Sequence, residues 1–335
     1  MSGHKVMTHI IFEGKQIELE EGQSVLSVLL DNNYEIPNSC QAGVCQSCMM
    51  QAVEGEIPAA AQAGLKDTLR AQGYFLACSC QPTSPLRVMA ANDMDLQSPA
   101  TVVGHTLLSD DVLRLRLKPQ SDFVYRAGQF INIWKTAKLA RSYSLASVAQ
   151  LDDFLELHIR RIPSGELSSW LHDEIKIGDE LKIQSASGDC FYVPGDVEQK
   201  LLLAGTGTGL APLIGIVRDA IAQGHKGEIH LIHGVRRHQD LYLHQTLLDM
   251  AEKYSQLRYY SNVLEADNDS QQKTNRPLEQ QILDIAVEPA QWKAYLCGDA
   301  AIVNTLKKTL FMSGMAMGSI YSDPFLISAA ADTDV

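Results

Sequence analysis

The stretch Ser39-Cys40-Gln41-Ala42-Gly43-Val44-Cys45-Gln46-Ser47-Cys48 holds three of the seven cysteines of this 335-residue chain. They are spaced C-x4-C-x2-C, and Cys78 follows after 29 further residues. This spacing is typical of plant-type [2Fe-2S] sites, in which four thiolates hold two irons and two sulfides. Gly43 can take the positive φ that a tight loop around such a cluster requires. The sequence therefore predicts a cluster held by Cys40, Cys45, Cys48 and Cys78.

Other uses of these cysteines fit less well. A structural zinc site on Cys45 and Cys48, with Cys78 or Cys80, is disfavoured because a four-residue first gap suits the usual zinc ligand pairs poorly. Rieske ligation needs paired Cys-x-His motifs, and the sequence contains none. Cys80 competes with Cys78 for the fourth position. Spacing favours Cys78, and Cys80, like Cys190, is expected to be a small buried residue.

The residues on both sides of the cysteine loop predict the rest of a first domain. His9–Phe12 and Gln16–Leu19 predict a hairpin that turns at Glu13-Gly14-Lys15. Ser24 is the expected N-cap of a helix that begins at Val25. The composition of residues 82–99 is typical of a linker, and we place the end of a first domain, 1–95, within it.

The rest of the chain has two successive patterns. Residues 98–197 contain short β-like runs at 112–117, 130–134, 154–160 and 180–183 and one helix at 167–175, which predicts a β-barrel or sandwich. Residues 198–335 alternate strands at 200–204, 228–233 and 294–297 with helices from 211 and near 241. That alternation predicts α/β layering on a parallel sheet. The fold class expected is thus multidomain, α+β and α/β.

Composition limits the partners. The net charge of −12 argues against nucleic acid, because binding to phosphate backbones depends on clustered Lys and Arg. The most apolar run, residues 201–217, is interrupted by Gly205, Gly207, Gly209 and Pro212, so no membrane span is expected. The first eight residues lack the features of a secretory signal. We expect a cytoplasmic protein, in which clustered cysteines bind metal more often than they form disulfides.

Ser39–Cys48, together with Phe75-Leu76-Ala77-Cys78, resembles the ferredoxin domain of bacterial oxygenase reductases. This resemblance covers the first quarter of the chain. It implies a β-grasp ferredoxin domain that carries the cluster.

Arg141-Ser142-Tyr143-Ser144 is similar to the R-x-Y-S/T element of the ferredoxin–NADP reductase superfamily. A guanidinium can neutralise a pyrophosphate, and an aromatic ring can lie on an isoalloxazine. The resemblance implies an antiparallel FAD-binding β-barrel in which Arg141 binds phosphate, Tyr143 stacks on the flavin and Ser144 faces its N5 edge. Tyr143 and Ser144 are thus expected to be catalytic, and Ser142 to contact the cofactor. Taken alone, the tetrapeptide favours an ordinary strand with a surface arginine.

A second element, Pro163–Ser169, leads into the predicted helix. In the family it holds the FAD pyrophosphate, which implies that Gly165 and Ser168 contact phosphate at a helix N-terminus. A Ser-capped helix without a ligand is the alternative.

Leu201–Ala204 runs into Gly205-Thr206-Gly207-Thr208-Gly209-Leu210-Ala211-Pro212, which resembles the G-T-G-I/L-A-P motif of the superfamily. Glycines let the backbone approach a diphosphate, and the helix N-terminus faces its charge. The resemblance implies that Gly205, Thr206, Gly207, Thr208, Gly209 and Pro212 bind a nicotinamide dinucleotide. A purely structural glycine turn is the alternative.

Two later motifs complete the resemblance. Cys297-Gly298 matches the C-G motif, which implies that both contact the nicotinamide and that Cys297 is catalytic, although Asp299 and Ala300 replace the usual prolines. Phe325 in the C-terminal segment is the expected aromatic cover of the flavin.

The choice of dinucleotide depends on the segment after Gly234. Arg236 and Arg237 could meet the 2′-phosphate of NADPH. Similar oxygenase reductases carry G-V-R or G-V-T here and use NADH. We therefore expect NADH, with NADPH as the alternative.

Together the motifs imply an NADH-dependent reductase that passes electrons through FAD to the cluster and on to a protein acceptor, an oxygenase or hydroxylase component. Alternatives are a reductase for a deoxysugar dehydratase, a free flavin or ferric reductase, and a non-enzymatic electron-transfer or redox-sensing subunit.

Overall fold

The hairpin predicted at the N-terminus is confirmed. Glu13 and Gly14 form its two-residue turn with φ of 49° and 74°, as a type I′ turn requires. The structure, a computed structural model, describes residues 6–36, 48–90, 97–136, 139–265 and 276–325. The chain divides into two compact units, Met1–Asp95 and Leu96–Val335.

The first unit is a five-stranded mixed sheet in the order β2-β1-β5-β3-β4. Its strands are β1 (Val6–Phe12), β2 (Lys15–Glu20), β3 (Met49–Glu54), β4 (Tyr74–Leu76) and β5 (Leu86–Ala90). Two helices accompany them, α1 (Val25–Asp31) and α2 (Asp67–Ala71). The β-grasp arrangement expected for this unit is confirmed.

Helix α1 begins where the sequence predicts. The Ser24 hydroxyl accepts the Ser27 N–H, and the Ser27 hydroxyl accepts the Ser24 N–H, so a capping box closes the first turn. The apolar side of the helix, Val25, Leu26, Val28 and Leu29, is buried in the core of the unit.

The expectation that residues 82–99 form a linker is wrong in part. Leu86–Ala90 is strand β5, which lies between β1 and β3 near the centre of the sheet. Leu86 and Val88 are buried at alternate positions, as the two-residue period of a strand demands. The five-residue run is too short to stand out among flanking Pro and Ser, and its partners are distant in sequence.

The second unit opens with six antiparallel strands in the order β10-β7-β6-β11-β8-β9. A bridge between Leu145, directly after β9, and Leu157 of β10 joins the two ends of the sheet, which makes it a barrel rather than a sandwich. The strands are β6 (Gln97–Leu107), β7 (Val112–Pro119), β8 (Phe130–Thr136), β9 (Leu139–Ser144), β10 (Leu155–Arg160) and β11 (Glu180–Gln184), and helix α3 (Glu166–Asp173) lies between the last two.

Five parallel strands follow in the order β14-β13-β12-β15-β16. The elements are β12 (Lys200–Thr206), α4 (Leu210–Ala222), β13 (Ile229–Val235), α5 (His244–Lys253), β14 (Leu257–Val263), α6 (Leu278–Ile285), β15 (Trp292–Asp299), α7 (Ala300–Met312) and β16 (Ile320–Phe325). The predicted α/β layering is confirmed. In the described ranges, no helix combines the length and apolarity needed to cross a bilayer.

The helix expected near Leu241 begins only at His244. A short 3-10 turn, His238–Asp240, comes first, and Leu243 then takes a left-handed φ of 56°. Asp240 accepts hydrogen bonds from the backbone and the guanidinium of Arg237, which holds the turn. These local bonds compete with helix formation, as short polar side chains often do.

Glycines let two strand ends of the parallel sheet meet. A Cβ on Gly209 would lie 2.3 Å from the Cys297 carbonyl oxygen, and one on Gly298 would lie 2.4 Å from Thr206 Oγ1. Gly298 also has a φ of 120°. The loop after β12 therefore packs against the end of β15 more closely than any side chain allows.

This close approach makes Gly209→Ala destabilising. We expect it to lower the free energy of unfolding by about 1–3 kcal/mol, the usual cost of overpacking. Gly195→Ala is the control, because a Cβ there meets nothing within 4 Å. Thermal denaturation of both variants tests the packing, and equal melting temperatures would contradict it.

Candidate functional site

Cys48 and Cys78 lie at neighbouring strand ends of the first unit. Cys48 directly precedes β3 and Cys78 follows β4 closely, and Met49 pairs with Leu76. The Ala77 N–H donates to the Cys48 carbonyl at 3.0 Å. Burial raises the pKa of the Cys48 thiol, whereas Cys78 is partly exposed. The other two predicted ligands, Cys40 and Cys45, lie outside the described residues.

Cys80 belongs to the core, as the sequence indicates. Its side chain is fully buried, and burial raises the pKa of its thiol to about 12, which disfavours the thiolate that metal binding needs. Its carbonyl accepts the Val25 N–H at 2.8 Å and so supports the start of α1. Cys48 and Cys78, the described cysteines that the spacing selects as ligands, thus lie at neighbouring strand ends, whereas Cys80 lies in the core.

A large cavity occupies the second unit. Its volume is about 1440 Å³, above the roughly 300–1,000 Å³ of most small-molecule sites. The barrel contributes β8, β9, β10 and the start of α3, and the parallel sheet contributes residues 206–208 and 323–325. Both the barrel and the parallel sheet therefore contribute to the wall of one cavity.

The four residues of the R-x-Y-S element line this cavity from β9. Arg141 is exposed, and its Nη1 donates to the Ala140 carbonyl at 2.7 Å. Burial raises the pKa of Tyr143, so its hydroxyl stays protonated and its ring is a neutral aromatic surface. Ser142 donates to Asn132 of the paired strand β8 at 2.7 Å.

Ser144 is linked to a residue that sequence reasoning missed. Its Oγ donates to Asp323 Oδ2 at 2.6 Å. Burial raises the pKa of Asp323, which lies on β16 and lines the cavity with Phe325. Asp323 stands within the C-terminal motif, but nothing in the sequence reveals that it meets a strand 179 residues earlier.

The start of α3 also faces the cavity. Its N-cap is Gly165, which has no side chain to satisfy the first helical N–H groups, so the alternative of a Ser-capped helix is wrong. These N–H groups and the helix dipole favour an anion. The Ser168 hydroxyl accepts the Ile162 N–H and donates to the Gly165 carbonyl, which fixes the loop that leads into the helix.

The glycine loop divides into two sets of residues. Thr206, Gly207 and Thr208 line the cavity. The other predicted members, Gly205, Gly209, Pro212 and Gly298, lie behind them outside the cavity wall, where Gly209 and Gly298 allow the close packing described above. The backbone of the loop is thus open to a ligand on one side only.

Arg160 was missed by sequence reasoning, although a basic residue at the end of a barrel strand could have signalled it. Its guanidinium carbon lies 3.4 Å from the position that a Cβ on Gly207 would take. It forms an ion pair with Asp111 at 3.3 Å and lines the cavity. The arrangement puts a cation beside the glycine loop, where a diphosphate would need one.

Cys297 lies behind the wall rather than on it. It is buried, its Sγ is 3.7 Å from Cys190 Sγ, and burial raises the pKa of its thiol well above the usual range. The thiol is therefore a neutral group packed beneath the site.

Both arginines after β13 have acidic partners. Arg236 Nε lies 2.5 Å from Glu265 Oε1, and Arg237 pairs with Asp240 at 3.1 Å. Arg236 lines the cavity. Glu265 already neutralises Arg236 in part, which lowers the attraction of this arginine for a 2′-phosphate.

A polar network extends from His158, which lines the cavity on its barrel side, into the protein. Glu156 accepts from Arg116 at 2.7 Å and lies 3.2 Å from His158 Nε2. The other ring nitrogen of His158 is 3.2 Å from the buried Tyr242 hydroxyl. Burial alone would raise the pKa of Glu156, but His158 and Arg116 lower it to about 2. The network joins the barrel to the parallel sheet.

Three family models match successive parts of the chain. They are a 2Fe-2S iron-sulfur cluster binding domain over residues 10–83, an oxidoreductase FAD-binding domain over 99–192 and an oxidoreductase NAD-binding domain over 203–308. The predictions of an oxidoreductase that uses a [2Fe-2S] cluster, FAD and NAD(P)H are thereby confirmed.

Known proteins match nearly the whole chain. The reductase subunit of an aromatic O-demethylase from Amycolatopsis is 32% identical over 93% of this chain and 96% of its own length. The ferredoxin–NAD(P)+ reductase component of a naphthalene 1,2-dioxygenase system from Pseudomonas putida is 29% identical over 92% and 95%. The crystal structure of an Amycolatopsis cytochrome P450 reductase has a TM-score of 0.64 and 29% identity, over 95% of this chain and 98% of that one.

The assignment of Cys78 as a cluster ligand and of Cys80 as a core residue predicts opposite effects on the cluster when each is replaced. Cys78→Ser should abolish cluster incorporation, because an uncharged hydroxyl replaces a thiolate ligand. Cys80→Ala should keep the cluster and lower only the stability of the fold. Iron content and visible absorbance measure both. Loss of iron in Cys80→Ala with retention in Cys78→Ser would reverse the assignment.

Glu156 should give the protein a stability that depends on acid pH. Its folded pKa of about 2 lies below the value near 4.5 of a free carboxyl, so the stabilisation is present above pH 4.5 and is lost as the pH falls towards 2. The stability advantage of the wild type over Glu156→Gln should shrink by roughly 3 kcal/mol across this window. Denaturant titration at each pH measures it. Asp122→Asn, at an exposed loop carboxyl, should show no such trend.

Proposed function

The chain belongs to the family of reductases that join a 2Fe-2S ferredoxin domain to FAD- and NAD-binding oxidoreductase domains, and we propose that it carries electrons from NADH to an oxygenase or hydroxylase protein. The observation that carries the proposal is that the R-x-Y-S strand and the glycine loop line one cavity. We assign residues 1–95 to the ferredoxin domain, 98–197 to the FAD domain and 198–335 to the dinucleotide domain.

When bound, FAD accepts two electrons together from NADH and releases them one at a time to the [2Fe-2S] cluster, and this chemistry belongs to the cofactors. The protein orients them. On the flavin side we assign phosphate binding to Arg141 and to the backbone N–H groups at Gly165 and the start of α3, with Ser142 and Ser168 supporting them. Tyr143 offers a neutral ring for stacking, and Phe325 offers a second aromatic surface.

On the nicotinamide side, residues 206–208 would present backbone to the diphosphate, with Arg160 as a neighbouring cation. Gly205, Gly209, Pro212 and Gly298 serve by letting the loop and helix α4 pack in place. Cys297, which is buried behind the cavity wall, would support the nicotinamide end of the site without touching the ligand. NADH is preferred to NADPH because Glu265 and Asp240 already pair with Arg236 and Arg237.

One proton must leave for each NADH whose two electrons pass singly to the cluster. The Ser144 hydroxyl and Asp323 form a short hydrogen bond at the cavity wall. Because burial raises the pKa of Asp323, its carboxylate can accept a proton that arrives at Ser144 Oγ. We assign Ser144 and Asp323 to this transfer, and Tyr143 and Ser144 to the flavin face.

We assign the cluster to Cys40, Cys45, Cys48 and Cys78. The acceptor is inferred from the relatives, which are named as reductase parts of dioxygenase and demethylase systems. A cytoplasmic location follows from the need for NADH and reduced thiolates.

An anaerobic NADH titration tests the electron path. We expect the visible flavin absorbance to bleach and a rhombic signal of the reduced [2Fe-2S] cluster to appear in low-temperature electron paramagnetic resonance. Flavin bleaching without a cluster signal would break the proposed path after FAD. Absence of both would contradict the reductase assignment.

The order of the carriers has its own test. Cys45→Ser should abolish electron delivery to an oxygenase component, because the cluster is the last carrier. Reduction of ferricyanide through the flavin should stay within about twofold of the wild type, since the dye accepts electrons directly from FAD. Equal loss of both activities would mean that the cluster does not lie after the flavin. Cys80→Ala is the matched control and should retain both.

A further inference from the structure

His233 lies near the end of β13, two residues before the strand ends, and its ring contacts the glycine loop. Its side chain is fully buried, and Nε2 lies 3.1 Å from the Gly207 carbonyl oxygen. A carbonyl oxygen only accepts, so Nε2 must carry the proton. Nδ1 is then the bare nitrogen, and it is buried without a partner among the residues that the structure describes. The ring is neutral, since burial lowers the pKa of His233 to about 4.

This hydrogen bond fixes the orientation of one peptide group. Gly207 has a φ of 54°, and its carbonyl oxygen also accepts the Leu210 N–H. In a trans peptide the N–H points away from the preceding C=O. The Gly207 carbonyl and the Thr208 N–H belong to the same peptide group. Because the carbonyl points at the buried ring, the Thr208 N–H points away from His233. Thr208 lines the cavity, and we infer that an N–H turned away from the buried ring is directed to the ligand side of the loop.

The imidazole ring is itself held in place. The Tyr242 ring packs edge-on against His233, with 5.4 Å between the ring centroids, and against His158 on its other side at 5.3 Å. The Tyr242 hydroxyl binds His158 of the barrel. Because Tyr242 is anchored in this way, the ring of His233 has little freedom to rotate away from the loop.

We propose that His233 is a positioning residue for the dinucleotide: it fixes the Gly207 carbonyl so that the Thr208 N–H points at the diphosphate. The inference rests on the proposed function, since it requires that a nicotinamide dinucleotide binds at this loop. A histidine supplies what the position needs, a buried donor without a charge. A permanently charged donor there would be costly to bury.

The test compares four holoproteins: the wild type, His233→Phe, His233→Gln and His230→Phe. Phenylalanine keeps the ring but cannot donate, whereas glutamine restores a donor. His230 lies on the same strand, is buried, and stacks on Tyr260 away from the cavity, so its replacement controls for the loss of a core imidazole. ADP-ribose, which has the diphosphate, and adenosine, which lacks it, are used as competitors of NADH in ferricyanide reduction.

We expect His233→Phe to raise the inhibition constant of ADP-ribose and the KM for NADH about tenfold, the equivalent of one misplaced hydrogen bond. The inhibition constant of adenosine, the FAD content and kcat should stay within about twofold, because the diphosphate contact alone is lost. His233→Gln should recover most of the affinity, and His230→Phe should show none of the effect.

Wild-type affinity for ADP-ribose in His233→Phe, with only a lower melting temperature as in His230→Phe, would show that His233 is purely structural. A wild type that neither binds ADP-ribose nor oxidises NADH would instead overturn the proposed function. Nitrogen-15 histidine spectra of the wild type give a measurement that needs no phenylalanine variant. A His233 ring protonated at Nδ1 rather than Nε2 would overturn the proposal, and an Nε2–H that persists with ADP-ribose bound is the expected result.

Discussion

The close approach of two chain segments at the carboxyl edge of the parallel sheet governs the arrangement of the site. Gly209 lies against the backbone of Cys297, and Gly298 lies against Thr206, at distances that exclude a Cβ. Because the glycine loop packs against the end of β15 in this way, residues 206–208 face the cavity while their neighbours are buried. The same contact fixes the end of β15, and β16 beside it carries Asp323 to the barrel.

Contacts between the barrel and the parallel sheet hold the two walls of the cavity together. Ser144 and Asp323 join them at the cavity wall, and His158, also at the wall, joins them through the buried Tyr242. Further away, Arg218 of α4 forms a two-pronged ion pair with Asp152, with both N–O distances below 3 Å. A partly buried pair of this kind adds geometric specificity as much as stability. The R-x-Y-S strand and the glycine loop are thereby held at a fixed separation within one unit.

Arginine side chains line the cavity, whereas the chain as a whole is negative. A chain with a net charge of −12 would repel a dinucleotide, yet arginines and helix N-termini surround the cavity. Most of these arginines also have carboxylate partners, as Arg160 has Asp111 and Arg236 has Glu265. Such carboxylates hold the guanidinium groups in place. They also select among anions, because a phosphate must bind the guanidinium more strongly than the carboxylate with which it competes.

The sequence by itself determined the three modules, their cofactors and most of the elements, because cysteine spacing, glycine motifs and hydrophobic period are local properties. It favoured Cys78 over Cys80 as the fourth ligand and predicted that Cys80 is buried, as the structure finds. Only the tertiary structure decided which motif residues reach the cavity and which pack behind it, and it alone brought Asp323, Arg160 and His233 to the site. Those three act through partners 26 to 179 residues away in the chain, and pairing over such distances leaves no local pattern.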